Sequence, residues 1–477
     1  DYKGPSIMMN LKGLLTALLL LLAGGAMAEI HLPAIIGSNM VLQRQSDVAL
    51  WGRANANAQV VVTTSWNHRR YTAKADAAGK WRLKVQTPAA GGPYEIWFSD
   101  GKELKLTNIL IGEVWVCSGQ SNMEMPLKGY RNQPVLHANE ILSKAGQPRL
   151  RLFHLERAAS ATELFDCTGS WEVSSALAAA DFSAVGFQFG KKLQEVLGVP
   201  VGIIQSAWGG TPIEAWTDKA SLVSVPDVEV PFPSDSVPAG RLVSTCLYNG
   251  MIAPMAGFGI KGFLWYQGEA NRARPGQYAQ LMEAMVKGWR KKWSNDSLPF
   301  YYVQIAPYGY PAGAGTVPYL REAQLKALDL IPFSGMAVST DVGNSETIHP
   351  ADKTTIAQRL LYWALARAYG MEGIACQGPV YRSKEAKESK LLLKFDHAPR
   401  GLTSFDQPLS AFEIAGADRQ FYPAKAVITK DGVLVHSDKV NAPVAARYAF
   451  SDRAEGRLYN TAGLPASPFR TDDWPVK

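Results

Sequence analysis

The chain has 477 residues, is 47% hydrophobic and 19% charged, and carries a formal net charge of +7. That length and balance indicate a globular protein of two or three domains. The basic residues are scattered, clustering only briefly as in "WRKKW" (289–293), so they read as solvated helix surface and not as the basic stripe of a nucleic-acid binder.

Residues 1–8, "DYKGPSIM", read as a tag or vector remnant. Residues 9–28 hold one lysine, an apolar run and then Ala26-Met27-Ala28, the pattern of a secretory signal peptide cleaved before Glu29. The apolar run is short for a membrane span, so the expectation is an exported protein, periplasmic or secreted, with no membrane anchor after cleavage. Export permits disulfides, and the four cysteines allow three pairings between which sequence does not choose. No C-x-x-C occurs and the seven histidines lie far apart, so neither a zinc site nor any other metal or cofactor is expected.

Residues 29–107 form short alternating runs such as "DVALWGRANANAQVVVTT" and "YEIWFSDGKELKLT", separated by turn residues. They predict an N-terminal β-domain resembling a small sandwich. From 108 to 374 apolar strand-like runs (109–116, 149–155, 201–208, 261–267, 300–306, 335–340) alternate with helical patterns (183–198, 276–293, 318–330, 352–370). This alternation predicts an α/β domain, a parallel sheet covered by helices on both faces. Residues 375–477 return to β patterning, either as a separate module or as strands folding back onto the N-terminal domain.

Ligands of an open parallel sheet bind at the carboxyl ends of its strands. The side chains falling there are Ser118, Gln120, Ser121 and Asn122; then Gly209, Gly210 and Thr211; then Gln267, Glu269 and Asn271; and last Asp341, Glu346 and His349. Together they offer a hydroxyl, bare amides, a side-chain amide, a carboxylate and an imidazole, the parts needed for acyl transfer. Each also has an ordinary reading as a cap or turn residue, and Glu124, Glu214 and Glu269 leave open a carboxylate pair for glycoside hydrolysis. "GFGIKG" (257–262) precedes a strand instead of following one, so a dinucleotide loop fails its context. No G-x-S-x-G occurs, which disfavours the nucleophile elbow of α/β-hydrolases.

Four blocks, "GEVWVCSGQSNMEMPL", "SAWGGTPIEAW", "GFLWYQGEANR" and "IHPADK", together with the opening "LPAIIGSNMVLQRQSDVALWG", resemble the sialate O-acetylesterase group of the SGNH hydrolase superfamily. The resemblance implies an SGNH-type three-layer α/β/α fold and a serine esterase that removes O-acetyl groups from carbohydrates, sialic acid or xylan-type glycans. Carried over, it implies Ser121 as nucleophile and His349 as base. Glu346 stands three residues before the histidine as third triad member, with Asp341 as the alternative. The Ser121 amide, the Gly209-Gly210 turn and the Gln267 side chain are the implied oxyanion donors. Asn122, Trp208, Glu269, Asn271 and Arg272 stand as substrate-binding candidates, with Arg274 a further cation for an acidic sugar. A non-catalytic carbohydrate-binding protein using the many aromatics, or a serine hydrolase of another acyl ester, are the competing readings.

Overall fold

The computed structural model describes residues 30–310 and 315–475. The tag and the signal-peptide pattern lie outside the described residues.

The N-terminal strands are β1 (Val41–Gln43), β2 (Asp47–Arg53), β3 (Gln59–Thr64), β4 (Arg70–Lys74), β5 (Lys80–Gln86), β6 (Gly91–Ser99) and β7 (Glu103–Gly119). In β3 the alternation seen in the sequence is real: Val60 and Val62 are buried while their neighbours are not. Strand β3 pairs with β4 and β6, β6 pairs with β7, and β2 pairs with β5, all antiparallel. Strand β7 has 17 residues. Its first half pairs with β6 and its second half is the middle strand of the next sheet, so one continuous strand crosses the expected 107/108 boundary.

That sheet adds β8 (Gln147–His154), β9 (Trp171–Ser174), β10 (Val201–Ala207), β11 (Gly262–Tyr266), β12 (Phe300–Val303) and β13 (Ser334–Ala337), in the order β13-β12-β11-β7-β10-β8-β9. Every pairing in it is parallel except that of the edge strand β9 with β8. Every residue of β10 and β11 is buried, because helices cover both faces. The principal helices are α1 (Ser121–Glu124), α2 (Ala184–Leu197), α3 (Tyr278–Trp293), α4 (Val317–Leu330) and α5 (Lys353–Trp363). Phe187, Leu193, Ile356 and Leu360 of α2 and α5 share one core, and Leu281, Trp289 and Leu320 of α3 and α4 lie in the other. Ser183 caps α2 by accepting from the Gly186 amide, and Asp352 caps α5 by accepting from Thr355. The result is a three-layer α/β/α domain. Among the described residues no helix is long and apolar enough to cross a membrane.

The aromatic richness goes largely into this core. Trp216, Trp265 and Trp289 are fully buried and meet edge to face, with ring centroids 6.1 and 5.7 Å apart along the row. The four cysteines are free thiols.

The C-terminal strands pair only with one another, in two four-stranded antiparallel sheets and a two-stranded ribbon. Leu391, Leu393, Ile414, Val433, Val435 and Tyr448 form a core of their own between the sheets. Among the described residues, none of these strands pairs with the N-terminal sheets. Arg470 clamps it to α4 through both carboxylate oxygens of Glu322, at 3.0 and 3.1 Å. The fully buried Arg321 donates to the Ile305, Ala306 and Ser451 carbonyls across the same junction.

Candidate active site

The carboxyl ends of β7, β10 and β11 meet at Gly119. Its φ is +137°, and a Cβ there would stand 2.2 Å from the Tyr266 carbonyl oxygen, so only glycine fits. The Gln120 amide donates to that same Tyr266 oxygen, and the Trp208 amide donates to the Gly119 oxygen, both at 3.0 Å. Ser121 follows as the first residue of α1, half-exposed, while Met123 and Met125 are fully buried beneath it. At the first turn of a helix the Ser121 amide has no intrahelical acceptor.

His349 arrives from the loop after β13. Its Nε2 lies 2.8 Å from Ser121 Oγ, and its Nδ1 meets Gln133 Oε1. A carbonyl oxygen accepts only, so Nδ1 carries the proton and Nε2 is left to accept from the serine hydroxyl. Gln133 was missed at the sequence level. It closes a tight turn in which the Tyr130 and Gln133 amides each donate to the other's carbonyl at 3.0 Å, with Asn132 left-handed at φ 60°. The same turn sets the Tyr130 ring edge-on to the imidazole at 5.3 Å, and the Tyr130 hydroxyl donates to the Ser121 carbonyl at 3.1 Å. The one available signal was "YRNQP", an Asn turn just after the serine helix.

Beneath the pair lies a buried polar bridge. Lys353 Nζ donates to Asn122 Oδ1 at 2.6 Å, and Asn122 Nδ2 donates to Glu269 Oε1 at 2.7 Å and to the Ile348 carbonyl at 3.0 Å. Asn122 thus ties the serine helix to the residue preceding His349. Burial pushes the Lys353 ammonium down to about 7, opposed by the Glu269 and Asp352 carboxylates. Burial also raises the Glu269 carboxyl, opposed by its hydrogen bonds and the Lys353 charge. Burial, and then the charge of Lys353, lower the His349 imidazole to about 4, so it is neutral near neutral pH.

Several expected groups lie elsewhere. Glu346 is exposed and accepts from the Ser345 hydroxyl. An Asx turn in which Asn344 Oδ1 accepts from the Glu346 and Thr347 amides holds that loop so that Glu346 faces solvent, away from Nδ1. Asp341 makes a bidentate pair with Arg359, both bonds 2.6 Å, with the two side chains only 11% and 7% exposed. It binds α5 and not the imidazole. Gln267 is fully buried: its amide donates to Thr211 O and Asn271 Oδ1, and its oxygen accepts from Tyr278. With both donor contacts turned inward, it presents none to the serine. The Gly209 amide donates to Glu124 Oε2 at 2.8 Å, which leaves Gly210, exposed at φ +71°, as the free half of that turn.

Asn271 is buried between Gln267 and Glu214. Arg272 lies over the Tyr310 ring and donates to the Glu269 carbonyl. Arg274 is paired with Glu214. Glu124, Glu214 and Glu269 therefore each answer to a different partner (Arg157, Arg274 and Asn122), and no two of them share one. Trp208 is half-exposed beside Gly209 with Arg157 over its ring, and Arg241 donates to the Gly209 carbonyl. These cations at the mouth were not singled out from sequence.

The family model for carbohydrate esterase, sialic acid-specific acetylesterase, matches residues 111–370, more than half of the chain. Sialate O-acetylesterases of Rattus norvegicus and Homo sapiens are each 29% identical, over 93% and 96% of this chain and 95% of their own lengths. A carbohydrate acetylesterase from Xanthomonas citri is 38% identical, covers 94% of this chain and 100% of its own, and superposes with a TM-score of 0.85. The serine–histidine pair at the strand ends stands inside the matched segment, and with it the conclusion is direct: the chain belongs to the sialic acid-specific acetylesterase family of carbohydrate esterases and is a carbohydrate O-acetylesterase.

Proposed function

We propose that Ser121 is the nucleophile and His349 the general base of deacetylation, with Gln133 holding the imidazole in its reactive tautomer. Ser121 Oγ attacks the acetyl carbonyl as its proton passes to His349 Nε2. The tetrahedral oxyanion is met by the Ser121 amide and the adjacent Gly210 amide. Collapse breaks the bond to the sugar oxygen, which takes the proton from Nε2 and leaves as the alcohol. Water then gives a proton to Nε2, attacks the acetyl-serine, and acetate departs as Ser121 recovers its proton. The single observation carrying this reading is the 2.8 Å contact between Ser121 Oγ and a His349 whose other nitrogen is committed to a carbonyl oxygen. Labelling by a serine-reactive phosphonate, with and without Ser121→Ala, tests it; label that stays on the Ser121→Ala protein would defeat it.

For the substrate, the half-exposed Trp208 and the nearby Arg157 and Arg241 support a sugar bound against an aromatic face with guanidinium groups at its edge. Acetate release from acetylated sialic acid, acetylated xylan and 4-nitrophenyl acetate distinguishes the sugar classes. A purely glycan-binding protein is disfavoured because its aromatics are mostly spent in the core. We also infer export from the apolar pattern of residues 9–28; mature protein from a native host should begin at Glu29, as N-terminal sequencing reads directly.

A further inference from the structure

At the opposite end of the sheet from Ser121 lies a groove that deacetylation does not use. A cavity of about 520 Å³ is lined by Arg367, Cys376, His397, Arg400 and Asn460. It adjoins one of about 490 Å³ that shares Arg367, Gln377 and His397 and runs past Phe333, Ser334 and Trp363. The groove follows the junction of the α/β domain with the C-terminal module, at the start of β12 and β13, whereas Ser121 follows the end of β7. A five-residue strand rises roughly 17 Å, so the two places are separated by about that distance or more.

Three observations describe what the groove accepts. Arg367, His397 and Arg400 are exposed and, among the described residues, form no ion pair with a carboxylate, so two fixed positive charges and an imidazole face one space. Asp329 is the acidic group lining the second lobe, which Arg367 also lines; the first lobe, with Arg367 and Arg400, has no carboxylate in its lining. The floor is fixed: Asn460 donates to the Gln377 and His397 carbonyls, both at 3.0 Å. Next, Phe333 is 63% exposed at φ +56°, in the turn before β13 where its carbonyl accepts from the Phe300 amide at 3.1 Å. The exposed ring offers a flat apolar face on the rim of the second lobe. Last, the Ser334 hydroxyl oxygen beside it is buried without a hydrogen-bond partner.

We propose that this groove is a second, non-catalytic carbohydrate site, which binds a carboxylate-bearing sugar residue of a glycan. Arg367 and Arg400 take the carboxylate, Phe333 stacks on a neighbouring pyranose face, and Ser334 meets a hydroxyl. The volume suits one or two sugar residues. The proposal rests on the carbohydrate-esterase assignment for the kind of ligand, and on the groove alone for its charge. Its effect is to keep an acidic polysaccharide attached while Ser121 works on acetyl groups elsewhere along it.

The experiment is calorimetric titration of the full chain, in wild-type, R367A/R400A and F333A forms. The probes are a galacturonic acid hexamer, a glucuronic acid-substituted xylo-oligosaccharide and a neutral xylo-oligosaccharide of equal length. The expected result is that at least one acidic probe binds and weakens with added salt. Its affinity should fall about tenfold or more in R367A/R400A, where the charge-assisted contacts are lost, and about two- to tenfold in F333A, where only stacking is lost. The neutral probe should bind much more weakly. Turnover of 4-nitrophenyl acetate should be equal in all three proteins, which shows that they are folded. Absence of binding by both acidic probes, equal binding of the neutral one, or variants that bind like wild type would each overturn the proposal. Loss of ester turnover in the wild type would instead count against the catalytic reading.

Discussion

Gln133 offers the sharpest test of the site. As the proton moves to His349, the Nδ1–H bond to Gln133 Oε1 becomes charge-assisted, and nothing else described accepts from Nδ1. Removing such a bond costs about 1.5–3 kcal/mol, or about 10- to 150-fold in rate. Gln133→Ala should therefore lower kcat/KM by that factor with little change in stability, because the side chain is only half-buried. Gln133→Glu makes a second, independent forecast. A carboxylate in contact favours the imidazolium and should raise the His349 pKa by about 1–3 units. The base works unprotonated, so the acid limb of kcat/KM lies near the wild-type value of about 4 and should move upward in the variant. The assay is 4-nitrophenyl acetate hydrolysis from about pH 3 to pH 8, bounded by the limbs of the profile. If Gln133→Ala matches wild type while Glu346→Ala shows the loss, the orienting role belongs to Glu346 and the argument from geometry fails.

Other outcomes follow from the same contacts. Ser121→Ala should abolish acetate release to near background and leave the thermal midpoint almost unchanged, as calorimetry and a coupled acetate assay would record together. Lys353→Met removes a positive charge that depresses His349, so the acid limb should shift upward; an unmoved limb would mean that burial alone sets it. Asp341→Asn leaves Arg359 nearly buried without its partner and should cost about 3–5 kcal/mol of stability, read by denaturant unfolding. Its kcat per folded molecule should hold, whereas a catalytic Asp341 would lose rate instead. In Gly209→Val the new Cβ would stand 3.1 Å from Glu124 Oε2 and 3.2 Å from the Ser121 Cβ, so Ser121 or Glu124 must give way. A shift of the nucleophile by a few tenths of an ångström should lower kcat per folded molecule about tenfold, with the folded fraction read separately by denaturant unfolding.

The strands and helices were legible because their hydrophobic periods are strong: 201–208 and 261–267 read as buried runs and are central strands. Ser121 and His349 could be singled out because strand ends gather in a parallel sheet whatever the loops do. What loops do was the illegible part. Glu346 sits at the right spacing from His349, yet the Asn344 turn aims it outward, and Gln133 reaches Nδ1 from a four-residue turn with no periodic signature. Gln267 looked like an oxyanion donor until Thr211, Asn271 and Tyr278 were seen to take up its amide. The antiparallel edge strand Trp171–Ser174 is four residues long, too short to announce itself.

Strand β7 carries a consequence for how such a chain can be rearranged. Its first half is pinned by β6 and its middle by β1, and its last residues deliver Ser121. The N-terminal β-domain is therefore not a detachable accessory that recombination could exchange at a linker. A fragment cut at residue 108 would strip β6 and β1 from the strand that carries the nucleophile and lay bare Ile109 and Ile111, both fully buried in the intact chain. Gene fusions and truncations should be tolerated beyond the C-terminal module sooner than inside this strand, and the two β-rich ends of the chain should differ accordingly in how freely their lengths vary.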